Sequence, residues 1–497
     1  MEVSGLENQN DNKLDRSFFG QPHGLSTLFF TEMWERFSYY GMKAILIYYM
    51  YFSIAKGGLG MDKGLAASVM SIYGSLVYLS SVLGGFLSDR IWGSRRTVFY
   101  GGVLIMFGHI CLALPFGKIA LFISICLITI GTGLLKPNVS EMVGSLYTEE
   151  DVRRDSGFTI FVFGINLGSL IAPWAVSKMW TSFNFHAGFS LAAIGMFFGL
   201  IFYLHGGNKY LSKDSLYPDD PLEPGDAKKL SFRVTIGAIA FILILLIMKV
   251  FGALNIANFI TLLSIIAVLT PVAYFAMMLT SKKVTKTEKS RVWAYVPLFI
   301  AAAIFWAIEE QGSVVLAMFA QSQTQNHIGG FTINPANYQS LNPLFILIYT
   351  PIFATLWTKL GKKQPSSPLK FAIGMIFAGI SYLFMVIPVS MHGTSALVSP
   401  WWLVGSWAII EIAELLISPI GLSVTTKLAP AAFQSSMMSM WFLADSAGQA
   451  VNSQIVKYYT PGTEVQYFTV IGIVSIVFAI ILFFMVKPIK RLMAGVD

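Results

Sequence analysis

The chain reads as a succession of long apolar stretches separated by short polar or basic joints. Stretches of about 20 mostly apolar residues, the length that crosses a bilayer as a helix, lie near 25–52, 64–88, 98–116, 119–146, 156–180, 186–205, 232–251, 255–279, 292–320, 338–358, 370–391, 400–427, 433–456 and 466–487. Charge clusters, Gly/Pro pairs or polar turns bound each of them. This pattern predicts an all-α polytopic membrane protein with 14 transmembrane helices. Residues 1–24 are polar and partly acidic with no short apolar core, so no cleavable signal peptide is expected.

Composition sharpens the class. Of the 497 residues 55% are hydrophobic and only 12% charged, about half the charged share of a soluble chain. Secreted scaffolds, disordered chains and nucleic-acid binders are excluded. The two cysteines, Cys111 and Cys126, sit inside apolar runs and make neither a disulfide framework nor a metal-spaced pair. The net charge of +8 is a matter of placement, because most of the 34 Lys and Arg residues fall in alternate loops. By the positive-inside rule both termini are then expected in the cytoplasm.

The middle of the chain departs from the regular pattern. Segment 206–230, with Pro218, Pro221 and Pro224, is expected to be a polar cytoplasmic linker. The next two spans contain no acidic residue and carry only Arg233 and Lys249 near their ends. They are expected to form a lipid-facing hairpin at 231–280, inserted between six-helix bundles at 25–205 and 281–488, with tails at 1–24 and 489–497. The halves echo one another: Gly85-Phe-Leu-Ser-Asp89-Arg90-Ile-Trp-Gly93-Ser-Arg95-Arg96 parallels Leu356-Trp-Thr-Lys359-Leu-Gly361-Lys362-Lys363. Two related halves around a central site are a common transporter plan. The first loop resembles the Gly-x-x-x-Asp-Arg-x-x-Gly-x-Arg-Arg motif of the major facilitator superfamily.

The residues that carry chemistry are the ionisable ones inside spans: Glu32, Glu35, Glu309, Glu310, Glu411, Glu414, Arg36, Lys43 and Lys136. At roughly 3 kcal/mol each they would cost on the order of 25 kcal/mol facing lipid, so they must face protein or a water-filled cavity. In the first span Glu32, Glu35, Arg36, Tyr39, Tyr40 and Lys43 recur at helical spacing and occupy one face. A guanidinium beside two carboxylates makes a proton-binding group next to a cation suited to an anionic substrate. Lys136, beside the helix-breaking Pro137, needs a carboxylate partner; Glu310 is the expected one and Glu309 the alternative. Glu411, Glu414, Ser418 and Gly421 share a face in the other half, where a carboxylate suits a substrate ammonium. Asn166, Asn342 and Trp441 add polar or aromatic wall.

These motifs also carry a resemblance. Glu32-Met-Trp-Glu35-Arg36-Phe37-Ser-Tyr39-Tyr40-Gly41 resembles the Glu-x-x-Glu-Arg-Phe-x-Tyr-Tyr-Gly signature of the proton-dependent oligopeptide transporter (POT/PTR) family. Gly131-Thr-Gly133…Lys136-Pro137-Asn138, Phe305-Trp306…Glu310-Gln311 and Glu414…Ser418-Pro419-Ile-Gly421 are similar to further motifs of that family. The resemblance implies a major facilitator fold and proton symport of di- and tripeptides, with peptide-like drugs as further substrates. The inserted hairpin is similar to that of the bacterial branch, and the long extracellular domain of animal members is absent. The resemblance further implies that Glu32, Glu35, Arg36 and Glu310 couple protons and that Lys136 and Glu310 form an interhalf switch. It implies that Arg36, Lys43 and Lys136 face the peptide carboxylate, with Asn166, Asn342 and Glu414 at its amino end. Tyr39, Tyr40, Tyr78, Trp306, Ser418 and Trp441 would line pockets. Position 43 is Lys where many relatives have Arg, and the second span lacks the His of animal members.

Two other functions compete. A proton-coupled carrier of other small organic ions or drugs could use the same fold, but it does not need matched cationic and anionic poles. A membrane-embedded enzyme could use paired glutamates as acid and base, yet no HExxH, Gly-x-Ser-x-Gly or phosphate-loop motif occurs. The expected protein is therefore a monomeric symporter of the bacterial plasma membrane, driven by the proton gradient without a cofactor and needing no nucleic acid or metal.

Overall fold

The computed structural model describes residues 15–148 and 151–496. Residues 1–14 of the expected N-terminal tail, together with 149, 150 and 497, lie outside the described residues. The N-terminal half holds α1 (His23–Tyr51), α2 (Lys63–Leu87), α3 (Ser94–Ala113), α4 (Gly117–Gly144), α5 (Arg154–Ser182) and α6 (Phe185–Tyr210). The inserted pair is α7 (Pro224–Val250) and α8 (Ile256–Thr280). The C-terminal half holds α9 (Lys286–Glu309), α10 (Val315–Ser322), α11 (Leu341–Leu360), α12 (Ser367–His392), α13 (Trp401–Lys427), α14 (Gln434–Ile455) and α15 (Glu464–Leu492). A two-stranded hairpin, β1 (His327–Ile328) with β2 (Phe331–Thr332), decorates the joint before α11.

Length and composition alone qualify 12 helical segments of the described residues to cross a membrane. The other two spans, α1 and α14, are more polar: α1 carries Glu32, Glu35, Arg36 and Lys43, and α14 carries Asp445 among several Ser, Gln and Asn residues. Both can carry them because protein rather than lipid surrounds the helix. Glu32, Glu35, Arg36, Ser38 and Gly41 of α1 are all buried, and α14 packs against α2, α8 and α9.

The span expected at 292–320 is broken. After α9 the backbone tightens into a 3-10 turn at Glu310–Ser313 and resumes as α10. Gly312 admits the ring of Trp407 at the break, where any Cβ would collide with it. Irregular backbone at membrane depth is tolerated where it is buried in protein or lines a cavity. This one aims Glu309 and Glu310 inward.

The hairpin is not uniformly lipid-facing. No residue of the apolar stretch of α7 is buried, as expected, whereas α8 buries Ile260, Ser264, Ala267, Pro271 and Met278. The Ser264 hydroxyl lies 2.7 Å from that of Ser453, and the Thr261 hydroxyl donates to Gln454 at 3.3 Å. Small hydroxyl residues at a helix–helix contact let two helices approach and hydrogen-bond within the membrane.

The two loops that echo each other each turn on a glycine. Gly93 and Gly361 both take positive φ, +79° and +47°, a conformation glycine adopts without Cβ strain. The linker is docked rather than loose: the Asp220 and Leu222 amides donate to the carbonyls of Asp89 and Arg90 at 3.0 and 3.2 Å, and Arg90 pairs with the Asp220 carboxylate.

Close packing sets the position of Lys136. Gly84 of α2 meets the backbone of Gly133 in α4, with no room for a Cβ on the former. Gly84→Ala is expected to lower stability by about 1–3 kcal/mol through forced separation of α2 from α4. A thermal shift in detergent tests it; an unchanged melting temperature would contradict the packing.

Candidate substrate and proton site

Both halves contribute to a central cavity of about 190 Å³ lined by Tyr40, Lys43, Tyr78 and Lys136 on one side and Trp306, Glu309, Glu310, Asn342, Trp407 and Glu414 on the other. Cations stand on the first wall and carboxylates on the second.

The face of α1 is built as its spacing predicts. Arg36 Nε lies 2.8 Å from Glu32 Oε1 and 2.7 Å from Glu35 Oε2, and Glu35 has no solvent exposure. One guanidinium thus serves two carboxylates, and Glu32 Oε2 and Glu35 Oε1 are buried without hydrogen-bond partners. A proton on either carboxyl would bring the net charge of Glu32, Glu35 and Arg36 to zero. One and two turns further along α1 the Tyr39 ring lies within cation–π reach of both Arg36 (5.7 Å) and Lys43 (5.9 Å).

The interhalf ion pair differs from expectation. Lys43 Nζ, not Lys136, holds Glu310 Oε2, at 2.7 Å and with both side chains nearly buried. Lys136 instead places its ammonium 4.0 Å from the centre of the Tyr78 ring. Both lysines line the cavity, so the phase of two packed helices chooses between them. Glu309, the alternative partner for Lys136, accepts from Asn342 Nδ2 at 2.9 Å.

On the carboxylate wall Asn342 Nδ2 also donates to Glu411 Oε1 at 2.9 Å and reaches Glu414 Oε2 at 3.5 Å. Three carboxyl groups therefore converge on one side-chain amide. Trp306 and Trp441 meet edge to face with centroids 6.3 Å apart, and Trp441 packs where Gly421 lacks a Cβ. Asn166 donates to Val162 of its own helix at 3.0 Å and is not among the residues lining the cavity. Ser418 is half-buried beyond Glu414 and likewise stays outside that lining.

Sequence reasoning missed Ser313, Gln339 and Trp407 in the wall, and it omitted Asp445 from the charges inside spans. Trp407 precedes Glu411 by one helical turn, so the face logic used for Glu414 and Ser418 would have found it. Asp445 needed only the hydropathy rule already applied to the other acids. Ser313 and Gln339 carry no local signal.

The POT family sequence profile matches residues 95–477. This chain belongs to the POT family. It is 50% identical to a di-/tripeptide transporter of Lactococcus lactis subsp. cremoris, over 98% of this chain and 100% of the relative. It is 54% identical to the uncharacterized transporter YclF of Bacillus subtilis, over 97% of each chain. A crystal structure of a peptide transporter POT in complex with sulfate superposes with a TM-score of 0.93 at 52% identity, covering 96% of this chain and 97% of that one. The fold is that of the major facilitator superfamily, two six-helix bundles with the inserted pair α7–α8. POT proteins are transporters, and the enzyme reading falls away.

The halves of this POT member meet along part of their depth. Tyr48 in the last turn of α1 donates to the Ala317 carbonyl at 2.9 Å, Ser177 to Asn337 at 2.6 Å and Ser340 to the Leu170 carbonyl at 2.8 Å. Midway along α2, Ser75 and Ser446 exchange hydrogen bonds at 2.7 and 2.9 Å. These contacts lie at mid-depth or toward the side opposite the chain termini.

Proposed function

We propose that this protein is a proton-coupled symporter that imports di- and tripeptides by alternating access. The observation that carries the reading is the polarity of the cavity. Lys43 and Lys136 face Glu309, Glu310 and Glu414 across it, which suits a zwitterion that spans the gap with its carboxylate toward the lysines and its ammonium toward Glu414 and Asn342. Relatives named as di-/tripeptide transporters at 50% identity support the substrate class. A related POT structure holds 5-aminolevulinic acid, which extends the substrates to small molecules with an amine and an acid.

In this reading the termini are cytoplasmic, the interhalf contacts seal the extracellular side, and the cavity faces inward. The chain divides into bundles at 25–205 and 281–488 joined by the cytoplasmic linker and hairpin, and works as a monomer in the bacterial plasma membrane. Protons entering at Glu32, Glu35 and Glu310 weaken the contacts those carboxylates make with Arg36 and Lys43. The peptide carboxylate competes for the same cations. Each ligand thereby shifts the balance between inward- and outward-facing states by its differential affinity for them.

Proteoliposome uptake of a labelled dipeptide tests this. Uptake is expected to exceed equilibrium only with the interior negative and alkaline. N-acetylated dipeptide is expected to compete at least ~30-fold worse than the free peptide, since a lost charged hydrogen bond costs roughly 2–5 kcal/mol. Equal competition by blocked and free peptides would remove Glu414 from the amino pole.

A further inference from the structure

Lys136 forms no ion pair among the described residues. Its ammonium sits 4.0 Å from the centre of the Tyr78 ring and 5.9 Å from that of Phe442. Phe442 belongs to α14, and Asp445 follows it at i+3, on the same face of that helix. Asp445 is only 2% exposed. Its Oδ1 accepts from Gln449 Nε2 at 2.7 Å, a neutral amide of its own helix, and it has no ion pair among the described residues. Gln449 is itself wedged against Gly74 of α2, and the adjacent Ser446 is clasped to Ser75. The α2–α14 seam thus brings a carboxylate of one half and an ammonium of the other to the same aromatic patch, each without a counter-charge in contact. Buried charges in that condition gain either by pairing or by taking up or losing a proton.

The groups that act electrostatically on Asp445 are Lys136 from α4, Lys43 and Tyr39 from α1, Tyr78 from α2, Glu309 at the end of α9 and Glu310 at the break that follows. Lys43 is already committed to Glu310. Lys136 is the cation left for Asp445.

We infer that Asp445 is a second proton-responsive partner across the halves, a positioning residue that holds the Lys136 ammonium when ionised and releases it to the substrate carboxylate when protonated. The inference rests on the symport reading above. The proton that binds Asp445 comes from the side the cavity faces at that point of the cycle and leaves to the other. No covalent bond changes. Two carboxyl groups, Glu310 and Asp445, would then govern two lysines separately, one pair in the centre of the cavity and one at the seam.

The test has two arms. In proteoliposomes, dipeptide exchange by the wild type is expected to fall as pH rises, and Asp445→Asn to move that fall upward by about one pH unit or more, because the amide mimics the protonated acid. Asp445→Glu, which keeps a titrating carboxyl, is expected to leave the fall close to its wild-type pH. A uniform loss of rate at every pH with an unmoved profile would overturn the proposal and leave Asp445 a packing residue. The second arm uses no substrate: melting temperatures of wild type, Asp445→Asn, Lys136→Met and the double variant form a cycle. Non-additivity of roughly 3 °C or more supports the pairing, and strict additivity overturns it. Failure of the wild type to accumulate dipeptide would refute the transport reading while leaving this cycle readable.

Discussion

Alanine at either Lys43 or Glu310 is expected to reduce dipeptide uptake at least ~100-fold and to lower thermal stability together. The two groups are 2.7 Å apart, nearly buried, and belong to opposite halves. Deleting one strands the other in a low-dielectric cavity, at a cost of roughly 3–5 kcal/mol. The double variant Lys43→Ala with Glu310→Ala is expected to regain most of the stability, because no unpaired charge remains, but not accumulation, because the proton-sensitive contact is gone. Lys136→Ala should behave differently: no carboxylate is stranded in contact with it, so substrate affinity suffers more than the melting temperature. Uptake and melting temperature measured on all four variants separate these outcomes. Wild-type uptake by Glu310→Ala would sink the switch, and equal destabilisation by Lys136→Ala would place Lys136 in an ion pair of its own, with Asp445 or with Glu310.

Glu35→Gln is expected to abolish proton-driven accumulation while leaving counterflow exchange of peptide above background. Exchange needs only a binding site and the swing between states, whereas accumulation needs a group that changes protonation in each cycle. Glu35 is fully enclosed, shares Arg36 with Glu32, and carries an oxygen with no hydrogen-bond partner. A glutamine keeps the shape of the neutral acid but cannot carry the proton. The measurement is paired uptake and counterflow in the same vesicles. Loss of both in equal degree would make the residue structural.

Much of the site was legible because helical periodicity acts locally. The ladder from Glu32 to Lys43 and the face shared by Glu411 and Glu414 follow from about 100° per residue along one helix, and both stand in the structure as that spacing implies. The rule that charge is costly in lipid identified the charged wall residues Lys43, Lys136, Glu309, Glu310 and Glu414. The same rule singles out Asp445, which lies in the interior of the stretch 433–456. Asn166 and Ser418 failed for a physical reason. Polar groups in apolar helices have two outlets, a cavity or a packed helix surface, and Asn166 satisfies its amide on its own backbone.

The sequence by itself determined the number and order of spans, the insertion between related halves, and which charged residues had to find partners inside the protein. Each depends on properties summed over a single helix: length, apolar content and angular spacing. Only the tertiary structure decided the pairings. Lys43 and Lys136 have the same chemistry and both reach the cavity, and Glu310 lies far along the chain from each. The choice rests on the packing of α1 against the break after α9, and of α4 against Gly84 of α2, which put the Lys43 ammonium and not that of Lys136 in contact with Glu310. An ion pair falls off steeply once hydrogen-bond contact is lost. Its assignment therefore belongs to the geometry between helices, about which the periodicity of any one helix is silent.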